Sequence, residues 1–128
     1  MTIGILGAAG IAVNALIWPV RRRDDVRIGA VASRTAAREY ADRHGIERAY
    51  DSYDGLLLDP DIDLVYNALP PSMHAEWTIA ALRAGKNVLC EKPFTMTAAE
   101  ATRVVATADD TGMRPHRSAR RRGGVPAR

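Results

Sequence analysis

Four short stretches of this chain carry groups suited to binding or reaction: Gly7-Ala8-Ala9-Gly10, Ser33-Arg34, Asn67–Pro71 with His74, and Glu91-Lys92-Pro93. The first ends an apolar run and opens an alanine-rich one, as a strand, a tight turn and a helix start would. Glycine permits φ > 0, and the missing Cβ lets a ligand approach the backbone. The free N–H groups and positive dipole end of the following helix favour an anion, above all a phosphate. Set against the dinucleotide fingerprint, Gly7 takes the first glycine place, Ala9 the second and Ala12 the third, with Gly10 between the last two. The pattern allows alanine only at the third place, so the stretch reads equally well as a plain buried strand and turn.

The position about 20 residues beyond the last glycine place chooses between dinucleotides. Ser33-Arg34 falls there, and no acid is present to hold a ribose 2′-hydroxyl. A hydroxyl followed by a guanidinium suits a 2′-phosphate instead, through charge-assisted hydrogen bonds, and this favours NADP over NAD. The rival reading is that Ser33 caps the next helix and Arg34 is solvated. The missing acid also argues against an S-adenosylmethionine methyltransferase. Lys92 follows an apolar run directly; it would hydrogen-bond a substrate hydroxyl or carbonyl and stabilise a developing oxyanion, or simply lie in solvent. His74 reads either as a cofactor contact or as a local hydrogen-bonding residue. The single cysteine, Cys90, reads as a small apolar side chain at a strand end rather than a nucleophile.

These groups need elements to hold them. Ile3–Leu6, Val26–Ala32, Glu47–Tyr50, Leu64–Tyr66 and Val88–Cys90 read as strands. Helices are expected from about Ile11 to Val20, kinked by Pro19, then over Thr35–His44, closed by Gly45, and from Asp51 to Leu58. A fourth helix is capped by Ser72 and ends before Gly85. Thr97-Ala98-Ala99-Glu100 is a capping box, and Ala101, Val104, Val105 and Ala108 follow at i, i+3, i+4 and i+7 for one buried face. Strands alternating with helices specify an α/β, doubly wound parallel sheet with the first strand central. Ligands bind such sheets at the carboxyl ends of the strands, where all four stretches fall.

Composition sets the outer bounds. The chain has 128 residues, 47% of them hydrophobic and 26% charged, which suits a single soluble domain. One cysteine excludes an intrachain disulfide and fits a reducing, cytoplasmic setting. No metal-ligating cluster is read. Ile3–Val20 is nearly uninterrupted apolar sequence but lacks a basic leader and carries three glycines and Pro19, so a buried strand and helix explains it better than a membrane span. Residues 1–113 carry a net charge of −3; the last fifteen residues add six arginines and no acid. The basic excess belongs to the tail.

Val65–His74, with Ala80-Ala81-Leu82-Arg83-Ala84-Gly85-Lys86-Asn87-Val88-Leu89-Cys90-Glu91-Lys92-Pro93, resembles the Gfo/Idh/MocA oxidoreductases. The resemblance runs from about Thr2 to Gly112, and Gly7–Ala12 resembles that family's glycine turn with Ala9 substituted. It implies a Rossmann-type nucleotide-binding domain and an NADP- or NAD-dependent oxidoreductase acting on a sugar, polyol or diol. Gly7, Ala9, Gly10 and Ile11 would then line the pyrophosphate, Ser33 and Arg34 the adenosine ribose, and Leu69, Pro70 and His74 the length of the cofactor. Glu91 and Lys92 would lie by the nicotinamide, with Lys92 orienting the substrate as the catalytic residue.

Members of that family continue into a C-terminal α/β domain that carries substrate contacts and an acid/base residue. Here residues 114–128 hold twelve Arg, Ala, Gly or Pro, with no apolar period for a strand. The expected division is a nucleotide-binding domain over 1–113 and a disordered basic tail over 114–128. That tail resembles an out-of-frame reading after a truncated gene; a native tail binding nucleic acid or an acidic partner is the other reading. Lacking the second domain, the chain is expected to be incomplete as a catalyst and to self-associate through an exposed sheet edge. A non-catalytic nucleotide-binding module remains the alternative function, with a basic-tailed nucleic-acid binder behind it.

Overall fold

The computed structural model describes residues 1–10, 12, 16–90, 97–113 and 115–117. Six parallel strands form one sheet: β1 (Thr2–Leu6), β2 (Arg27–Ala32), β3 (Arg48–Tyr50), β4 (Leu64–Asn67), β5 (Asn87–Cys90) and β6 (Pro115–Arg117), ordered β3-β2-β1-β4-β5-β6. The first strand is central, as right-handed crossovers require. The helices are α1 (Trp18–Arg21), α2 (Ala37–His44), α3 (Tyr53–Leu57), α4 (His74–Arg83) and α5 (Ala98–Thr111).

Period-two alternation along the strands divides the core between the two faces of the sheet. Ile3, Ile5, Val31 and Tyr66 pack with Leu16, Ile17, Val20, Tyr40 and Ala41 on one face. Leu6, Ala30, Ala32, Val65 and Val88 pack with Leu56, Leu82 and Val104 on the other. Ile3–Leu6 is covered on both faces, and Ala12, Leu16, Ile17 and Val20 are buried as well. Among the described residues no helix is long and apolar enough to cross a membrane.

The pairing of β1 with β2 contains a bulge. Ile3 opposes Ile28 and Gly4 opposes Ala30, which leaves Gly29 as an extra residue. A Cβ on Gly29 would stand 2.6 Å from Thr2 Cγ2, so glycine fits where the strands crowd. Ahead of β4, Asp59 gathers partners from neighbouring elements: Tyr50 donates to its Oδ2 at 2.8 Å and buried Lys86, just before β5, donates to its carbonyl at 2.7 Å. Arg48 Nε lies 2.9 Å from the same carboxylate but is not aligned for a hydrogen bond, so the contact is an ion pair. Burial raises the Asp59 carboxyl, but the Asp61 N–H, the Tyr50 hydroxyl and Arg48 outweigh it and hold the group below its usual value.

Several sequence expectations need correcting. Pro19 lies in the single turn of α1, which directly follows the π-helical residues Leu16 and Ile17. The second helix begins at Ala37 because Ser33 folds the preceding residues into a turn. Ser72 does not cap α4; it lies in a 3₁₀ turn over Pro71–Met73 that leads into the helix. Thr97 does cap α5, accepting from Glu100 N at 3.1 Å. Val105 is 55% exposed, and Thr107 is buried in its place. Thr107 Oγ1 donates to the Arg103 carbonyl at 2.9 Å, which satisfies the hydroxyl and leaves its methyl to pack. Finally, Pro115–Arg117 is a strand inside the stretch expected to be structureless, pairing Leu89 with His116. A parallel ladder recruits backbone groups, so an apolar period was not needed for it.

Candidate functional site: a glycine turn between two strand ends

The carboxyl ends of β1, β2 and β4 meet around Gly7. This residue has φ of +100°, and its N–H donates to the Ala32 carbonyl at 2.8 Å, tying the glycine turn to the end of β2. A Cβ on Gly7 would meet Leu69 Cδ2 at 3.2 Å and the Ala68 carbonyl at 3.3 Å, so the β4 loop packs directly beneath the turn. Glycine is required here twice over. Gly10 differs: a Cβ there would meet nothing within 4 Å, and the residue is exposed. Nothing in the described protein fills the space beside it. An open cradle at a glycine turn, just before a buried helical Ala12, fits a dinucleotide pyrophosphate.

The Ala9 carbonyl accepts from Ala12 N at 3.3 Å and from the Tyr40 hydroxyl at 2.7 Å. Tyr40 comes from α2, thirty-one residues on, and is 5% exposed; desolvation raises its phenol above the ordinary value. The sequence singled out no role for Tyr40. Nothing in its spacing marked its hydroxyl as the anchor of the turn.

At the end of β2, Ser33 N donates to the Tyr50 carbonyl at 3.1 Å, while Ser33 Oγ accepts from Thr35 N at 3.4 Å and Ala36 N at 3.2 Å. The serine therefore organises the following turn, and its own O–H stays available as a donor. Arg34 is exposed beside it. Its guanidinium carbon lies 5.5 Å from the centroid of the Tyr53 ring.

The β4 loop is built from within. Asn67, fully buried, donates through Nδ2 to the His74 carbonyl at 3.2 Å and to Thr78 Oγ1 at 3.1 Å, and accepts from Leu69 N at 3.2 Å. His74 is 1% exposed, with Nε2 placed 2.6 Å from the Leu69 carbonyl. Its ring ties the loop together from inside, which matches the local hydrogen-bonding reading of the sequence. Leu69 is buried under Gly7, and Pro70 is exposed on the loop. Cys90 ends β5 opposite Asn67, and burial pushes its thiol up to about 11, which makes it a poor nucleophile.

The glycine turn, Ser33 and the Leu69–Pro70 loop are thus brought to one crevice. Ile11, Glu91 and Lys92 lie outside the described residues. A cavity of about 270 Å³ opens at the opposite end of the sheet, lined by Ile17, Val20, Val26, Ile28, Arg21 and His44. Its rim cations are engaged, Arg21 with the His44 carbonyl, Arg23 with Asp25 and Arg27 with Glu47.

A parallel sheet of this order with a glycine turn at its central strand defines a nucleotide-binding Rossmann domain. A sequence profile of the Gfo/Idh/MocA oxidoreductase family, NAD-binding Rossmann fold, matches residues 1–116, and the chain belongs to that family. An uncharacterised oxidoreductase of Rhizobium meliloti is 44% identical over 113 residues, covering 87% of this chain and 34% of that protein. D-xylose 1-dehydrogenase (NADP(+)) 2 of Haloferax volcanii is 44% identical over 115 residues, covering 88% of this chain and 35% of that protein. Among solved structures, a 3-ketoreductase from Actinomadura kijaniata in complex with NADP superposes with a TM-score of 0.84 at 36% identity, over 91% of this chain and 38% of the other. The chain spans about a third of the length of the curated relatives it matches.

Proposed function

We propose that this chain binds NADP in the crevice and is the cofactor-holding part of an oxidoreductase that moves hydride to or from a sugar, polyol or diol. The observation that carries the reading is the position of Ser33 and Arg34. They follow β2 at the level where Gly7 is tied to Ala32, with an O–H donor and a guanidinium and no acid between them. The backbone of Gly7, Ala9, Gly10 and Ile11 takes the pyrophosphate, and Ser33 and Arg34 take the 2′-phosphate. Leu69 and Pro70 line the cofactor beyond the pyrophosphate, with His74 acting through the Leu69 carbonyl. A bound dinucleotide would donate the hydride when reduced and accept it when oxidised. Lys92, two residues beyond the end of β5, orients the substrate oxygen beside Glu91 and stabilises charge developing on it. The named activity of the Haloferax relative supports the carbohydrate class, and both it and the NADP complex of the Actinomadura ketoreductase support the choice of NADP.

Titration of the purified chain with NADPH and NADH tests this. Saturable binding with NADPH the tighter ligand is expected; no saturable binding of either would overturn the proposal. Tighter NADH binding would remove the role given to Arg34.

A further inference from the structure

Arg34 stands in solvent, yet it is not left to wander. Its guanidinium carbon sits 5.5 Å from the centroid of the Tyr53 ring, within cation–π range. Tyr53 opens α3, where Ser52 Oγ accepts from Gly55 N at 3.0 Å and fixes the first turn. Trp77 of α4 meets the same ring edge-on, with centroids 5.0 Å apart and planes at 70°. An arginine from the β2 turn therefore rests on an aromatic ring that is braced by a second helix.

We propose that Tyr53 is a specificity-determining positioning residue for the 2′-phosphate, acting through Arg34. This rests on the NADP reading above. A long, rotamer-rich side chain loses freedom when it grips a ligand, and a platform that restricts it beforehand lowers that cost. A guanidinium also stacks on an aromatic face while its N–H edge still points outward to an anion. NADH has no 2′-phosphate and takes nothing from this arrangement. Tyr53 therefore acts on the ratio of NADPH to NADH affinity, not on affinity in general.

The test titrates both cofactors into the wild-type chain, Tyr53→Leu, Tyr53→Phe, Arg34→Ala and the Tyr53→Leu/Arg34→Ala double variant. Tyr53→Leu is expected to lower the NADPH:NADH affinity ratio about two- to fivefold. Tyr53→Phe, which keeps the ring, is expected to hold the wild-type ratio. In the Arg34→Ala background the Tyr53 change is expected to leave the ratio where it is. Because both cofactors are read on the same protein, a general loss of stability cancels; Tyr53→Met is read in the same way where Tyr53→Leu does not fold. An unchanged ratio in the non-aromatic variant, with both cofactors binding the wild type, overturns this inference and leaves the proposed function standing. An equal fall with and without Arg34 also overturns it. Absence of binding to the wild type overturns the proposed function, and the inference with it.

Discussion

The hydroxyl of Tyr40 and the carbonyl of Ala9 are joined by a 2.7 Å hydrogen bond that spans thirty-one residues and pins the glycine turn to α2. Tyr40→Phe keeps the ring in its packing and removes only this tie. The Ala9 carbonyl retains its 3.3 Å contact with Ala12 N, so the expected cost is ~1 kcal/mol. Chemical denaturation measures the loss, and NADPH titration is expected to show weaker binding as the turn loosens.

The two glycines of the turn separate folding from binding. Gly7→Ala places a Cβ 3.2 Å from Leu69 Cδ2 at a φ of +100°, and should destabilise the chain by about 1–3 kcal/mol. Gly10→Ala meets only open space, so thermal stability should stay near wild type while NADPH affinity falls. Equal effects of the two substitutions on stability would show that Gly10 is constrained by the protein itself.

Cys90 makes a test of burial and pH. Its thiol is held at about 11 against an ordinary 9.0, so the folded chain keeps that proton where the unfolded chain gives it up. Stability from this group is present below pH 9 and declines as pH rises towards 11. Iodoacetamide labelling at pH 8 is expected to be slow in the native chain and fast in urea.

Ahead of β4, Asp59 has its value lowered, with Tyr50, the Asp61 N–H and Arg48 as its partners. Its contribution is present above the ordinary carboxylate value of 3.8 and is lost as pH falls through the lower folded value. Asp59→Asn should cost about 1.5–3 kcal/mol at pH 7. Acid titration followed by circular dichroism should show the variant losing less stability than the wild type below pH 4.

The sheet was legible because strands buried on both faces must be apolar and must end where glycine, serine or proline interrupts them. Capping gave Thr97 and Gly45 for a similarly local reason. What lay beyond the sequence was set by partners rather than by spacing. Val105 and Thr107 occupy neighbouring stripes of α5, and the packing of that helix on α4 decided which one to cover. His74 showed its ring chemistry but not that Leu69 would turn a carbonyl onto it. Tyr40 carried no mark in the sequence, because its hydroxyl matters only where α2 lies beside the turn. Pro115–Arg117 pairs through backbone, which no side-chain pattern announces.

The extra residue at Gly29 bears on how such sites are counted along a chain. Ile28 already opposes Ile3 and Ala30 already opposes Gly4, so a chain lacking Gly29 would satisfy the same pairs. The Ser33 turn would reach the glycine turn from the same height on the sheet. The interval between phosphate-facing and ribose-facing residues is therefore elastic by one: an insertion or deletion at this bulge changes the numbering of the site without displacing it.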